Sequence, residues 1–194
     1  MKKHTNSKRQ MRGYSVVELL VSMAIISTLS AIAVPSLMRT YRSYQMDDAA
    51  SQVATELKFT RYEAIRRNSP TKCLNNTQNG YLTMYTRDVN SSTGDNVNGN
   101  EKQIIFSGSA TLVDAASVPS SGSLAAVVGT GITLTTMSPT NGTITFDGRG
   151  AKSTAGVTVY WIGNANYGWR AVTVMPSGSV QVWSYATGTW TQVS

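Results

Sequence analysis

Glu18 is followed by 20 residues, Leu19 to Met38, that carry no formal charge. An ionised side chain in hydrocarbon loses its hydration, at about 2.5–3.5 kcal/mol near the centre of a spanning helix, so this carboxylate needs a partner or a purpose. Other reactive groups are sparse. The one histidine, His4, lies among the first residues, and the one cysteine, Cys73, has neither a disulfide nor a CxxC partner. Asp147 beside Arg149 has the types for acid–base work, but "FDGRG" (146–150) reads more simply as a turn after a strand. Arg61, Arg66, Arg67 and Lys72 could make a weak basic patch for DNA or a protein partner. Cations are equally expected at a helix C-terminus, where unpaired carbonyls and the macrodipole favour them. Trp161, Trp169, Trp183 and Trp190 could stack bases, although aromatics in alternating strands are more often core residues.

About 20 apolar residues is the length an α-helix needs to cross a bilayer, so the run after Glu18 reads as a membrane segment. Before it, Lys2, Lys3, Lys8, Arg9 and Arg12 stand without an acid, which puts the N-terminus in the cytoplasm and the rest of the chain outside it. A secretory signal cut near Ala31–Ala33 leaves Glu18 inside its apolar region and Pro35 just past the cut. A plain anchor accounts for neither Gly13 nor the aromatic and acid that follow it.

The basic leader, Gly13, Tyr14, Glu18, the apolar run and Pro35 together resemble the start of a type IV prepilin or pseudopilin. The resemblance implies cleavage between Gly13 and Tyr14 by a prepilin peptidase and N-methylation of Tyr14. It also implies that Glu18 neutralises the new ammonium of a neighbouring subunit during filament assembly, and that Pro35 kinks or loosens the helix. Tyr14 departs from the more usual phenylalanine but keeps the aromatic character. Without a 13-residue leader the chain has 12 basic and 10 acidic residues, a net charge of +2 against +7 for the whole. The high isoelectric point thus reports topology more than affinity for nucleic acid. Leader removal also takes away His4, excluding histidine-based catalysis and histidine metal sites. No enzyme, cofactor or metal is expected.

Helical periodicity continues past the membrane segment. Met46, Ala50, Val53, Leu57, Thr60 and Ala64 fall on one face, and Asp47, Asp48, Glu56, Lys58, Arg61 and Arg66 are expected on the other. Asn68, Ser69 and Pro70 should end the helix. A helix from 14 to 68 would be about 80 Å long, too long for a 125-residue domain to bury, so its first half has to project. Downstream, 156–163, 169–175 and 179–185 read as an antiparallel meander, with further strands at 81–86, 103–108, 132–137 and 142–148. Segments 87–102 and 117–123 read as polar loops.

"TRYEAIRRNSPTKC" (60–73) and the run from "ITFDGRG" to "VQVW" are similar to the H-type pseudopilins of type II secretion and the FimT minor pilins. The implied fold is α+β and pilin-like, a long N-terminal helix packed on an antiparallel β-sheet domain. Its parts are a leader (1–13), a membrane and filament-core helix (14–38), an amphipathic half-helix (39–69) and a globular domain (70–194). The implied function is that of a minor pseudopilin near the filament tip. The alternative is a FimT-like pilin of a type IV pilus that aids DNA uptake. Expected partners are the prepilin peptidase, other major and minor pilins or pseudopilins, the inner membrane and secreted cargo. The domain would be periplasmic until the subunit enters a filament. Some family members bind DNA through glycine, arginine, any residue, arginine. Here the matching place reads Gly178, Ser179, Val180, Gln181, without either arginine, which argues against strong DNA binding.

Overall fold

A computed structural model describes residues 15–78, 81–88, 103–106, 110–129 and 131–193. Two compact units divide the chain, Met1–Thr40 and Tyr41–Ser194. Helix α1, Val16–Arg67, contributes to both and is continuous through Pro35, whose missing N–H leaves the Ala31 carbonyl without its usual donor.

In the first unit every described side chain is exposed, and α1 is long and apolar enough to cross a membrane. Several of its hydroxyls turn back onto the helix. Ser22 donates to the carbonyl of Glu18, Ser27 to Met23 at 2.8 Å and Thr28 to Ala24 at 3.1 Å. These bonds let small polar residues sit in an apolar run without an orphaned donor.

In the second unit α1 buries Met46, Ala50, Val53, Leu57, Thr60 and Ala64, the stripe expected from periodicity. The helix stops one residue earlier than expected, and Asn68 takes φ 47°. The Asn68 N–H bonds the Ile65 carbonyl and the Ser69 N–H bonds Ala64, a Schellman closure with asparagine in the left-handed position.

Among the described residues ten strands follow in two sheets. The first has the order β3-β2-β1-β6, from β1 (Thr71–Gln78), β2 (Tyr81–Asp88), β3 (Gln103–Phe106) and β6 (Asn141–Phe146), all antiparallel. The second has the order β10-β9-β8-β7-β4, from β4 (Leu112–Val113), β7 (Val157–Asn164), β8 (Gly168–Val174), β9 (Val180–Ala186) and β10 (Thr189–Gln192). The expected meander is β7–β8–β9. Short β5 (Leu134–Thr136) pairs with β7 in parallel, alongside the stretch where β4 pairs antiparallel. The α1 stripe packs on Cys73, Met84, Ile144 and Phe146 of the first sheet and on Tyr160, Ile162, Val172 and Val182 of the second. The reverse face of the second sheet holds another core, Val159, Trp161, Trp169, Trp183 and Trp190, covered by Leu124 of α2 (Ser121–Val128). Strand β7 is therefore buried on both faces, which explains why its sequence is a nearly unbroken apolar run.

Three expectations need correcting. Segment 117–123 is not a loop throughout, because it ends a 3-10 turn (Ala115–Ser117) and opens α2 at Ser121. Arg87 and Asp88 belong to β2, while 89–102 lies outside the described residues. Glu56, expected on the solvent face, is fully buried. Its Oε1 accepts a 2.6 Å hydrogen bond from Thr86 of β2, and Thr60 lies 2.6 Å from the same hydroxyl. Periodicity assigns a carboxylate to water, but partners from β2 replace water here.

Candidate functional site

Two regions hold the residues singled out in the sequence. At the start of α1, Glu18 occupies the first turn, where the N-terminal end of the macrodipole favours an acid. Ser15 stands three residues before it, the spacing of a capping box, yet neither side chain makes that bond. The Glu18 carboxylate is exposed and has no hydrogen-bond or ion-pair partner among the described residues. Gly13 and Tyr14 lie outside the described residues.

At the other end of α1, the four cations proposed as a patch separate. Glu63 takes two of them. Arg66 reaches its carboxylate with Nε at 3.0 Å and Nη2 at 2.7 Å, and Arg67 with Nε at 2.9 Å. The hydrogen bond from Arg66 does most to hold the Glu63 carboxyl below its ordinary range, against a smaller opposing push from burial. Lys72 stands in β1, opposite Arg87 and Thr145. Arg61 turns to the "FDGRG" turn and donates from Nε to the Gly150 carbonyl at 3.0 Å. In that turn Asp147 Oδ1 accepts the backbone N–H groups of Arg149 and Ala151, both at 2.9 Å, so the acid is occupied in shaping the chain.

The remaining candidates are structural. Cys73 is completely buried, and burial pushes its thiol far above the ordinary range, away from the reactive thiolate. All four tryptophans are buried rather than offered as a stacking platform. Indole N–H groups of Trp161 and Trp183 bond Thr136 and Thr173 at 3.1 and 2.9 Å, and that of Trp190 bonds the Ser120 carbonyl at 3.2 Å. Among the described residues no group of three or more histidine, cysteine or acidic side chains could hold a metal.

Sequence reasoning missed the contacts that hold the first turns of α1 in the second unit. Asp47 forms an ion pair with Arg170 of β8, and Arg42 lies 5.0 Å above the Tyr167 ring in the β7–β8 turn. A lone arginine within the apolar strand "WRAVTV" was the available signal, since a buried cation requires a partner.

Residues 8–34 match the prokaryotic N-terminal methylation motif, and residues 49–178 match the family described as type II transport protein GspH. The chain belongs to the GspH family. Glu18, Gly13 and Tyr14 fall within the methylation-motif segment, whereas Glu56, Arg61, Glu63, Asp147 and Gly178 fall within the GspH segment. The type II secretion system protein H of Xanthomonas campestris pv. campestris is 30% identical to this GspH-family chain over 67 residues. That stretch is 34% of the present chain and 40% of the relative, so the match spans less than half of the relative's length. The crystal structure of the type IV minor pilin FimU from Pseudomonas aeruginosa is similar at a TM-score of 0.49 and 11% identity, over 76% of this chain and 93% of that one.

Proposed function

We propose that this GspH-family protein is a minor pseudopilin, a structural subunit of a type II secretion pseudopilus that assembles near the filament tip. Prepilin peptidase cuts between Gly13 and Tyr14 and methylates Tyr14. Residues 14–38 then anchor the subunit in the inner membrane, with the domain on the periplasmic side, until it is drawn into the filament among other pseudopilins.

The observation that carries this reading is the exposed Glu18 carboxylate, without a partner among the described residues, at the head of an uncharged helical run inside a match to the N-terminal methylation motif. An anchor alone has no use for an acid there. Cleavage before Tyr14 would create an ammonium four residues upstream of Glu18, and pairing between subunits in a low-dielectric filament core offsets the desolvation of both groups. Pro35, which cannot donate to the Ala31 carbonyl, would give the helix a place to adjust its packing.

Glu18→Leu should therefore be cleaved and membrane-bound like wild type yet be largely absent from sheared filaments, because it leaves an ammonium unpaired. Glu18→Asp should enter in part. The ratio of filament to membrane protein on immunoblots is the readout, with the N-terminus checked by mass spectrometry. Entry of Glu18→Leu at the wild-type ratio would sink the assembly role, and an N-terminus at Val34 would make this an ordinary secreted protein.

A further inference from the structure

The geometry points to a carboxylate-binding site at the end of α1 that receives an acidic segment of a neighbouring pilin-like subunit, an inference that rests on the filament reading above. Its centre is Arg61. The guanidinium is oriented before any ligand arrives, because Nε is bonded to the Gly150 carbonyl at 3.0 Å. It also lies close under the turn at Gly178, where a Cβ would come within 2.9 Å of that Nε and 1.9 Å of the Gly150 oxygen. With Nε engaged, both Nη groups keep their N–H donors without a partner among the described residues. Two parallel N–H groups on a fixed plane are the fork that a carboxylate accepts bidentately.

The charge around Arg61 points the same way. Glu63 occupies Arg66 and Arg67, and Asp47 occupies Arg170. Among the described residues Lys58, Arg61 and Arg149 form no ion pair with an acid, and Asp147 Oδ1 is committed to the backbone of its own turn. Residues 58, 61, 62 and 65 form one helical stripe, and it includes Tyr62 and Ile65, which are 61% and 45% exposed. Ile65 leans on Gly150, where a Cβ would meet its Cδ1 at 2.6 Å. Cations flanked by exposed apolar side chains fit a protein segment carrying an acid beside apolar residues. A nucleic-acid strand would call for a row of cations along its phosphates, and here Glu63 has removed two of the cations that could extend the row.

The test is an NMR titration of the full chain in zwitterionic detergent at about 0.15 M salt, using end-capped hexaglutamate, hexaglutamine and a short DNA duplex as probes. Hexaglutamate should give saturable shifts confined to the Gly150 and Gly178 amides and the Arg61 Nε–H, and hexaglutamine none. Arg61→Lys, which keeps the charge but loses the fork, should weaken binding about tenfold. Arg149→Gln, at an exposed position that should not disturb folding, should weaken it about threefold, and Arg66→Gln less than about twofold. The site is refuted if Arg66→Gln costs as much as Arg61→Lys, if no shift saturates, or if the duplex displaces hexaglutamate from these residues. No filament is present in the titration, so its failure counts against this site alone, while wild-type filament entry by Glu18→Leu counts against the filament reading.

Discussion

Gly178→Ala should be among the most damaging single-methyl additions in the second unit. Gly178 has φ +80°, and a left-handed conformation costs a residue with a Cβ about 1 kcal/mol. The added Cβ would stand 1.9 Å from the Gly150 carbonyl oxygen, a backbone atom in a turn that Asp147 already pins through two hydrogen bonds. Relief requires the two turns to separate, which breaks the Arg61 Nε–Gly150 bond, and a hydrogen bond to a charged group contributes about 1.5–3 kcal/mol. Together the loss is about 2.5–4 kcal/mol, a large part of the roughly 5–15 kcal/mol that holds a domain folded. At about 2–4 °C per kcal/mol the melting temperature should fall by about 10 °C. All four tryptophans lie in the second unit, so their near-ultraviolet dichroism follows this unit through a thermal melt of the full chain in detergent. Gly122→Ala in α2 is the control, because a Cβ there meets nothing within 4 Å, and it should melt no lower than wild type. A Gly178→Ala protein that melts within about 2 °C of wild type would show that the two turns do not press together on Arg61.

Three further outcomes are expected. The Glu63 carboxyl is held below its unfolded value of 4.5, so its contribution to stability is complete above that pH and is lost as pH falls through the lower folded value. Acid titrations followed by tryptophan dichroism should show a shallower loss of stability below pH 4.5 in Glu63→Gln than in wild type, and identical acid limbs would refute the clamp. Cys73 should resist iodoacetamide in the folded protein and react fully in denaturant, whereas alkylation at the rate of a free thiol under native conditions would contradict its burial. Duplex DNA should bind more weakly than about 10⁻⁶ M at physiological salt in a mobility shift. Nanomolar, competitor-resistant binding would restore the DNA-uptake alternative.

Some long-range features had local signals that admitted more than one reading. Glu63 stands three and four residues before Arg66 and Arg67, the spacing of helical ion pairs, so the loss of half the basic patch was legible and was missed. Asn68 was recognised as a stop, but the Schellman bonds rather than Pro70 close the helix. Strand β1, "TKCLNNTQ", and helix α2, "SGSLAAVV", escaped because each is polar or small where its type is usually apolar or charged. Strand β1 is held by two neighbours, β2 and β6, and α2 by the single buried anchor Leu124 over the tryptophan core.

By itself the sequence determined much of what depends on spacing along the chain. That includes the uncharged run after Glu18, the buried stripe from Met46 to Ala64, the turn in 146–150, and the β7–β9 meander. Periodicity marks a face as buried because 3.6 and 2 are set by backbone geometry, whatever the partner. It does not say what stands on the other side of that face. Only the tertiary structure decided that Glu56 would be buried with Thr86, 30 residues away, that Arg170 would meet Asp47 across 123 residues, and that Arg61 would be fixed by Gly150, 89 residues on. A polar group leaves water only where a partner replaces it, and in each of these cases the chain brings that partner from a distant strand or turn.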